Sequence, residues 1–298
     1  MKLFKHPIRE TINNYMLRLK AFELYKQKPQ EYREAARPEG YKRVFHDDFK
    51  SHLRFTDKWR FGMPWGDFHT GHLYQHFDNG GHEAYTTKDA GLVLETKHRP
   101  LHIIKSKLAT WRQSSNLPEE FTIPYAVGLV STKDSWHYGW FEANIKLPKG
   151  SSLWPAFWLS GAKSWPPEID ILEAYSKYGP EYNDRFLFKK RPHVRIQPNL
   201  HYGVVEEGTK EMYGSYNVPV YDATNRYVHY ACWGEKDFIR IYYDGNLVFE
   251  CMDPDVLQHF NKSTHDQFII LNNGTQETGY VPDESVMHVR SVSVYQKK

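Results

Sequence analysis

The chain has 298 residues, and its 39 Lys and Arg against 36 Asp and Glu leave a net charge of +3, a balance that argues against a nucleic-acid-binding protein, which carries a strong basic excess. Hydrophobic residues make up 40%, too many for global disorder, yet no run approaches the roughly 18–20 apolar residues of a membrane span. Two cysteines, Cys232 and Cys251, cannot build a disulfide framework or a four-thiolate zinc site.

The opening residues Met1-Lys2-Leu3-Phe4-Lys5-His6-Pro7 lack the apolar core of roughly 7–15 residues and the small-residue cleavage site of a signal peptide, so none is expected. Ile8, Ile12, Tyr15, Leu19 and Phe22 recur at helical spacing and predict a helix over 8–28 with one apolar stripe. Pro7 suits its first turn and Pro29 ends it. A shorter helical piece is expected over 30–37, stopped by Pro38 and Gly40. The stripe either packs on its own domain or pairs with a second copy to make an oligomer. Residues 1–40 thus read as a helical N-terminal extension, and 41–298 as a separate β domain.

From Tyr41 onward short β-like runs alternate with turn residues. Examples are Gly91-Leu92-Val93-Leu94-Glu95-Thr96 and Phe238-Ile239-Arg240-Ile241-Tyr242-Tyr243, the latter followed by the hairpin signal Asp244-Gly245-Asn246. Cys232 and Cys251 fall on neighbouring predicted strands, with no bond expected. Many short strands without βαβ alternation imply an all-β sandwich.

The segment richest in chemistry starts with Leu153-Trp154-Pro155-Ala156-Phe157-Trp158-Leu159 and continues as Glu168-Ile169-Asp170-Ile171-Leu172-Glu173. Glu168 and Asp170 are two apart and share a strand face. Glu173 is an odd number of residues from Glu168 and belongs on the opposite face, unless a bulge inserts one residue and restores the phase. On a flat strand the outer two acids would have Cα atoms about 16 Å apart. Retaining glycosidases need carboxyls about 5–5.5 Å apart and inverting ones about 6.5–9.5 Å, so the strand must also bend. Converged, one carboxylate can attack an anomeric carbon while a protonated partner serves the departing oxygen. The third can hold the acid's pKa up by its charge. A solvated acidic strand face and a calcium site are the other readings of the same residues.

Aromatics supply independent support: the sequence carries 21 Tyr, 17 Phe and 9 Trp, residues whose flat apolar faces suit sugar rings. Trp154 and Trp158 are four apart and share a face; Trp165 and Tyr175 flank the acids.

These residues resemble the family-16 glycoside hydrolases. The resemblance runs from about Lys42 to Gln296 and rests on the bulged acidic signature Glu168-Ile169-Asp170-Ile171-Leu172-Glu173. Flanking it are the Trp-rich strand, Tyr138-Gly139-Trp140-Phe141-Glu142-Ala143-Asn144-Ile145-Lys146-Leu147, Val44-Phe45-His46-Asp47-Asp48-Phe49 and Leu200-His201-Tyr202-Gly203. It implies a concanavalin A-like jelly roll and retaining endo-hydrolysis of a β-linked polysaccharide, a β-glucan or a marine galactan, without a cofactor. Carried over, Glu168 is the nucleophile, Asp170 its supporting acid and Glu173 the general acid/base. Trp154 is a sugar platform, with Trp158 and Trp165 beside it, and His201 lies on the leaving-group side.

Two departures stand out. Where family members acting on β-1,3-glucans carry Asn-Leu-Ala-Val-Gly-Gly, this chain reads Leu271-Asn272-Asn273-Gly274-Thr275-Gln276, which points away from laminarin specificity. Arg290 replaces an Asp that helps hold a structural calcium; no metal is expected there, and the arginine can serve the same carbonyls. Phe188-Lys189-Lys190-Arg191-Pro192-His193-Val194-Arg195 and a second loop with His98, Arg99, His102 and Lys105 would favour an anionic polymer if they border the cleft, Arg191 foremost. The competing reading is a non-catalytic carbohydrate-binding or virion-associated jelly roll. A phage-encoded enzyme would reconcile an external substrate with the missing signal peptide.

Overall fold

The computed structural model describes residues 15–16, 19, 32–51, 55–66, 68–69, 72–109, 113, 116–150, 152–174, 193–205, 207–214, 217–261, 265–276 and 285–298. The helix expected over 8–28 lies outside these, apart from Tyr15, Met16 and Leu19, which are helical. Among the described residues no helix is long and apolar enough to cross a membrane.

Two sheets face each other. A seven-stranded sheet runs in the spatial order Glu211–Gly214, Asn199–Tyr202, Glu168–Glu173, Leu153–Gly161, Gln267–Thr275, Leu129–Thr132 and Trp59–Phe61. A ten-stranded sheet has Phe238–Tyr243, Val228–Glu235, Gly139–Lys146, Val286–Lys297 and Gly91–Ile104 as successive strands of its path. Their inner faces meet in one core. Phe141, Ala143, Ile145, Ile239 and Ile241 from the larger sheet join Phe157, Leu159, Ile169, Leu172 and Leu200 from the smaller. Along Gly139–Lys146, Phe238–Tyr243 and Leu153–Gly161 these residues alternate, as the two-residue period of a pleated strand requires.

The outward face of Gly139–Lys146 is also covered. Trp140 and Glu142 are buried beneath residues 32–38, which form a strap without regular secondary structure. This overturns, over 32–37, the helix expected over 30–37, whose first two residues lie outside the described ones. Tyr32 Oη donates to Asn144 Oδ1 at 2.8 Å, Arg37 Nε donates to Glu142 at 3.0 Å, and Ala35 is buried beside Trp140 and Ala231. Such contacts outweigh a helical preference worth less than ~1 kcal/mol per residue.

Arg290 sits where the strand Val286–Lys297 slips register against Gly139–Lys146. Its guanidinium lies 3.9 Å from the centre of the Tyr227 ring, a cation–π contact. A guanidinium in place of a carboxylate does not fit a calcium ion. Cys232 and Cys251 are free and buried, and the strand Phe238–Tyr243 separates theirs, so they are not on neighbouring strands.

Candidate active site

The acidic strand Glu168–Glu173 lies between Leu153–Gly161 and Asn199–Tyr202. Against Leu153–Gly161, Asp170 stands opposite Trp158 and Leu172 opposite Phe157, so Ile171 is an extra residue and the register shifts there. That bulge turns Glu173 back to the face of Glu168 and Asp170, and all three line one cleft of 890 Å³. Ile169, Ile171 and Leu172 point into the core. On the other neighbour, Glu168 stands opposite His201 and Asp170 opposite Asn199. Residues directly opposite share a face, which brings both polar side chains to the acids.

Each carboxyl has its own partners. Trp154 Nε1 donates to Glu173 Oε1 at 2.8 Å and Asn199 Nδ2 to Glu173 Oε2 at 2.8 Å. Trp165 Nε1 donates to Glu168 Oε2 at 2.6 Å. His201 Nε2 lies 3.4 Å from Glu168 Oε1 and 3.3 Å from Asp170 Oδ2. Trp158 lines the floor, its Nε1 donating to Asn272 Oδ1 at 2.8 Å. The cleft walls come from Trp65, His69 and His72 on one side and the stretch from Gly161 to Trp165 on another. The ring of His72 meets Trp154 edge-on at 5.6 Å, and its Nδ1 is 2.6 Å from Tyr74 Oη.

Burial dominates the electrostatics. Glu168 is pushed up to about 8 by burial and then by the charge of Asp170, against the lowering pull of His201 and the Trp165 bond. Burial and the charge of Glu173 hold Asp170 well above the usual carboxylate range. Burial raises Glu173 too, opposed first by the Trp154 bond. Three carboxyls this close titrate as a set. Near neutral pH the set keeps a proton, which proton transfer to a leaving group requires.

Residues 74–279 match the family model described as Glycosyl hydrolases family 16. The chain belongs to glycosyl hydrolase family 16. Over 124 residues it is 32% identical to a glucan endo-1,3-beta-glucosidase of Cryptopygus antarcticus, covering 40% of this chain and 40% of that protein. Over 225 residues it is 26% identical to a beta-glucanase of Rhodothermus marinus, covering 69% of this chain and 64% of the relative. The chain therefore matches less than two thirds of the length of either family-16 relative. LamAcat from Zobellia galactanivorans aligns in structure with a TM-score of 0.62 at 19% identity, over 86% of this chain and 98% of that one. The laminarinase catalytic domain from Thermotoga maritima gives 0.61 at 20% identity, over 87% and 100%. The sandwich is thus the family-16 jelly roll.

Within this family-16 frame the residues singled out from sequence separate into groups. Glu168, Asp170, Glu173, Trp154, Trp158 and Trp165 line the cleft. The imidazole of His201 lies beside Glu168 and Asp170. Arg191 and most of its basic run lie outside the described residues. His98, Arg99, His102 and Lys105 are not among the cleft-lining residues. Arg99 is held by Glu83 and Asp78, Lys105 by Glu119 at 3.6 Å, and His102 lies 3.8 Å from Glu120; the four belong to the strand Gly91–Ile104 and the helical turn that follows it, not to the expected loop. Asn199, His72 and Trp65 were not anticipated. Asn199 had a signal, its two-residue spacing from His201; the wall residues lie outside the named strands and had none.

Proposed function

We propose that this chain is a retaining endo-acting hydrolase of a β-linked polysaccharide. The observation that carries the reading is that three carboxyl side chains of one bulged strand face one tryptophan-lined cleft. Glu168 attacks the anomeric carbon through Oε1 while Trp165 holds its Oε2. As the bond to the departing sugar breaks, Glu173 gives its proton to the glycosidic oxygen. Water then enters, Glu173 takes its proton, and the hydroxide oxygen displaces Glu168 from the glycosyl ester, so two inversions give net retention. The Trp154 and Asn199 donors orient Glu173 for both transfers. Asp170 stands between the two and, by its charge, keeps a proton in the set.

A neutral β-glucan fits the names of the two relatives. An anionic galactan is the second reading, favoured by Lys163 on the cleft wall and Lys210, whose ammonium lies 4.3 Å from the centre of the Trp165 ring. A reducing-end assay on neutral β-glucans, agar, porphyran and carrageenan separates the two, and Glu168→Gln tests turnover itself. The variant should lose at least ~1,000-fold in kcat. Release that survives the substitution would rule out Glu168 as nucleophile, and binding without release by the wild type would make the chain a binding module.

A further inference from the structure

One contact inside the cleft does not behave as an ordinary ion pair. His201 Nε2 is almost equidistant from Glu168 Oε1 and Asp170 Oδ2, at 3.4 and 3.3 Å. A charge-assisted bond from an imidazolium to one carboxylate would close to about 2.7–2.9 Å. Asp170 is only 3% exposed, yet among the described residues its Oδ2 accepts no hydrogen bond, and His201 Nδ1 also has no hydrogen-bond partner there. A buried carboxylate oxygen left without a donor is costly. The Trp165 bond occupies Glu168 Oε2 and leaves Oε1 turned to the same point.

Those separations have a simple geometric meaning. Ligand atoms around a tetrahedral ion at about 2.0–2.1 Å lie roughly 3.3–3.4 Å from one another. Among the described residues, Glu168, Asp170 and His201 are the one group of three or more His, Cys, Asp or Glu whose ligating atoms fall within 4.8 Å of one another. The fold builds the group: Glu168 and His201 are cross-strand partners, and Asp170 follows Glu168 on the same face.

We propose that Glu168 Oε1, Asp170 Oδ2 and His201 Nε2 form a binding site for a divalent transition-metal ion of the zinc class. Two carboxylates with one imidazole suit zinc and its neighbours; calcium takes six to eight oxygens, which this set does not supply. Glu168 and Asp170 both line the cleft, so the ion enters from solvent. An ion bound here engages Glu168 Oε1 and blocks hydrolysis, a consequence that rests on the attacking role proposed for Glu168. The binding itself does not.

The test is calorimetric titration of zinc chloride into the tag-free full chain, beside His201→Gln, Asp170→Asn and Glu168→Gln, with circular dichroism to confirm folding. The proposal expects one saturable zinc per wild-type chain and an affinity at least ~100-fold weaker in every variant that folds. No saturable binding, or binding unchanged in the folded variants, would overturn it. Hydrolysis measured in parallel keeps the two claims apart. Its loss on loading zinc, reversed by a chelator, supports both, whereas zinc bound at this site with hydrolysis intact upholds the metal site and counts against Glu168 as the attacking group.

Discussion

The phenolic oxygen of Tyr243 donates to the carbonyl oxygen of Ile171 at 2.8 Å, across the interior between the two sheets. Ile171 is the extra residue of the bulge, so the larger sheet holds the point at which the acidic strand changes phase. Without that phase change Glu173 would face the core.

Tyr243→Phe removes the donor and leaves a buried carbonyl without this partner. Stability should fall by about 1–3 kcal/mol, read as the midpoint of urea unfolding. With Glu173 less firmly aimed, kcat should drop by about 10-fold or more while KM changes little. An unchanged kcat would show that the bulge keeps its shape unaided.

The pH profile should carry the mark of the buried triad. The proton that Glu168 retains up to about 8 belongs to the set, and proton donation to the leaving group draws on it. Activity is therefore expected to fall as pH rises through about 8, well above the ordinary carboxylate range. Asp170 raises that value by repulsion, so Asp170→Asn should move the descending limb of kcat/KM to lower pH. A limb that stays in place would separate Asp170 from the proton inventory.

Opposite the cleft, Glu142 makes a stability prediction. Burial raises its pKa, but bonds from His229, Arg37 and Trp140 prevail and hold it at about 2, against an ordinary 4.5. A depressed folded value stabilises the protein above the unfolded value and loses that contribution as pH falls from 4.5 toward 2. Arg37 is 38% exposed, so solvent screens the pair. Arg37→Ala should cost about 1 kcal/mol at pH 7, less near pH 3, with activity per folded molecule unchanged. Chemical denaturation at the two pH values measures the difference.

Much of this site was legible in the chain. The odd spacing between Glu168 and Glu173 demanded either a bulge or the loss of the third acid, and the tryptophans four apart placed aromatics on the same side. Strand pairing was not legible: no local pattern says that His201 stands opposite Glu168, so its neighbours came only with the structure. The strap over 32–38 escaped for a related reason. Its helical preference is local, while Glu142, Asn144 and His229, which hold it in place, lie more than a hundred residues away. The walls bearing Trp65 and His72 carry no periodicity from which a position could be read.

The most direct test of the double-displacement account is the anomeric configuration of the first product, followed by proton NMR during the earliest turnover of a β-linked oligosaccharide. The account predicts that the newly formed reducing end appears as the β-anomer and only later equilibrates toward α. An α-anomer as the first species would mean a single inversion, and Glu168 could not then be the group that attacks the sugar.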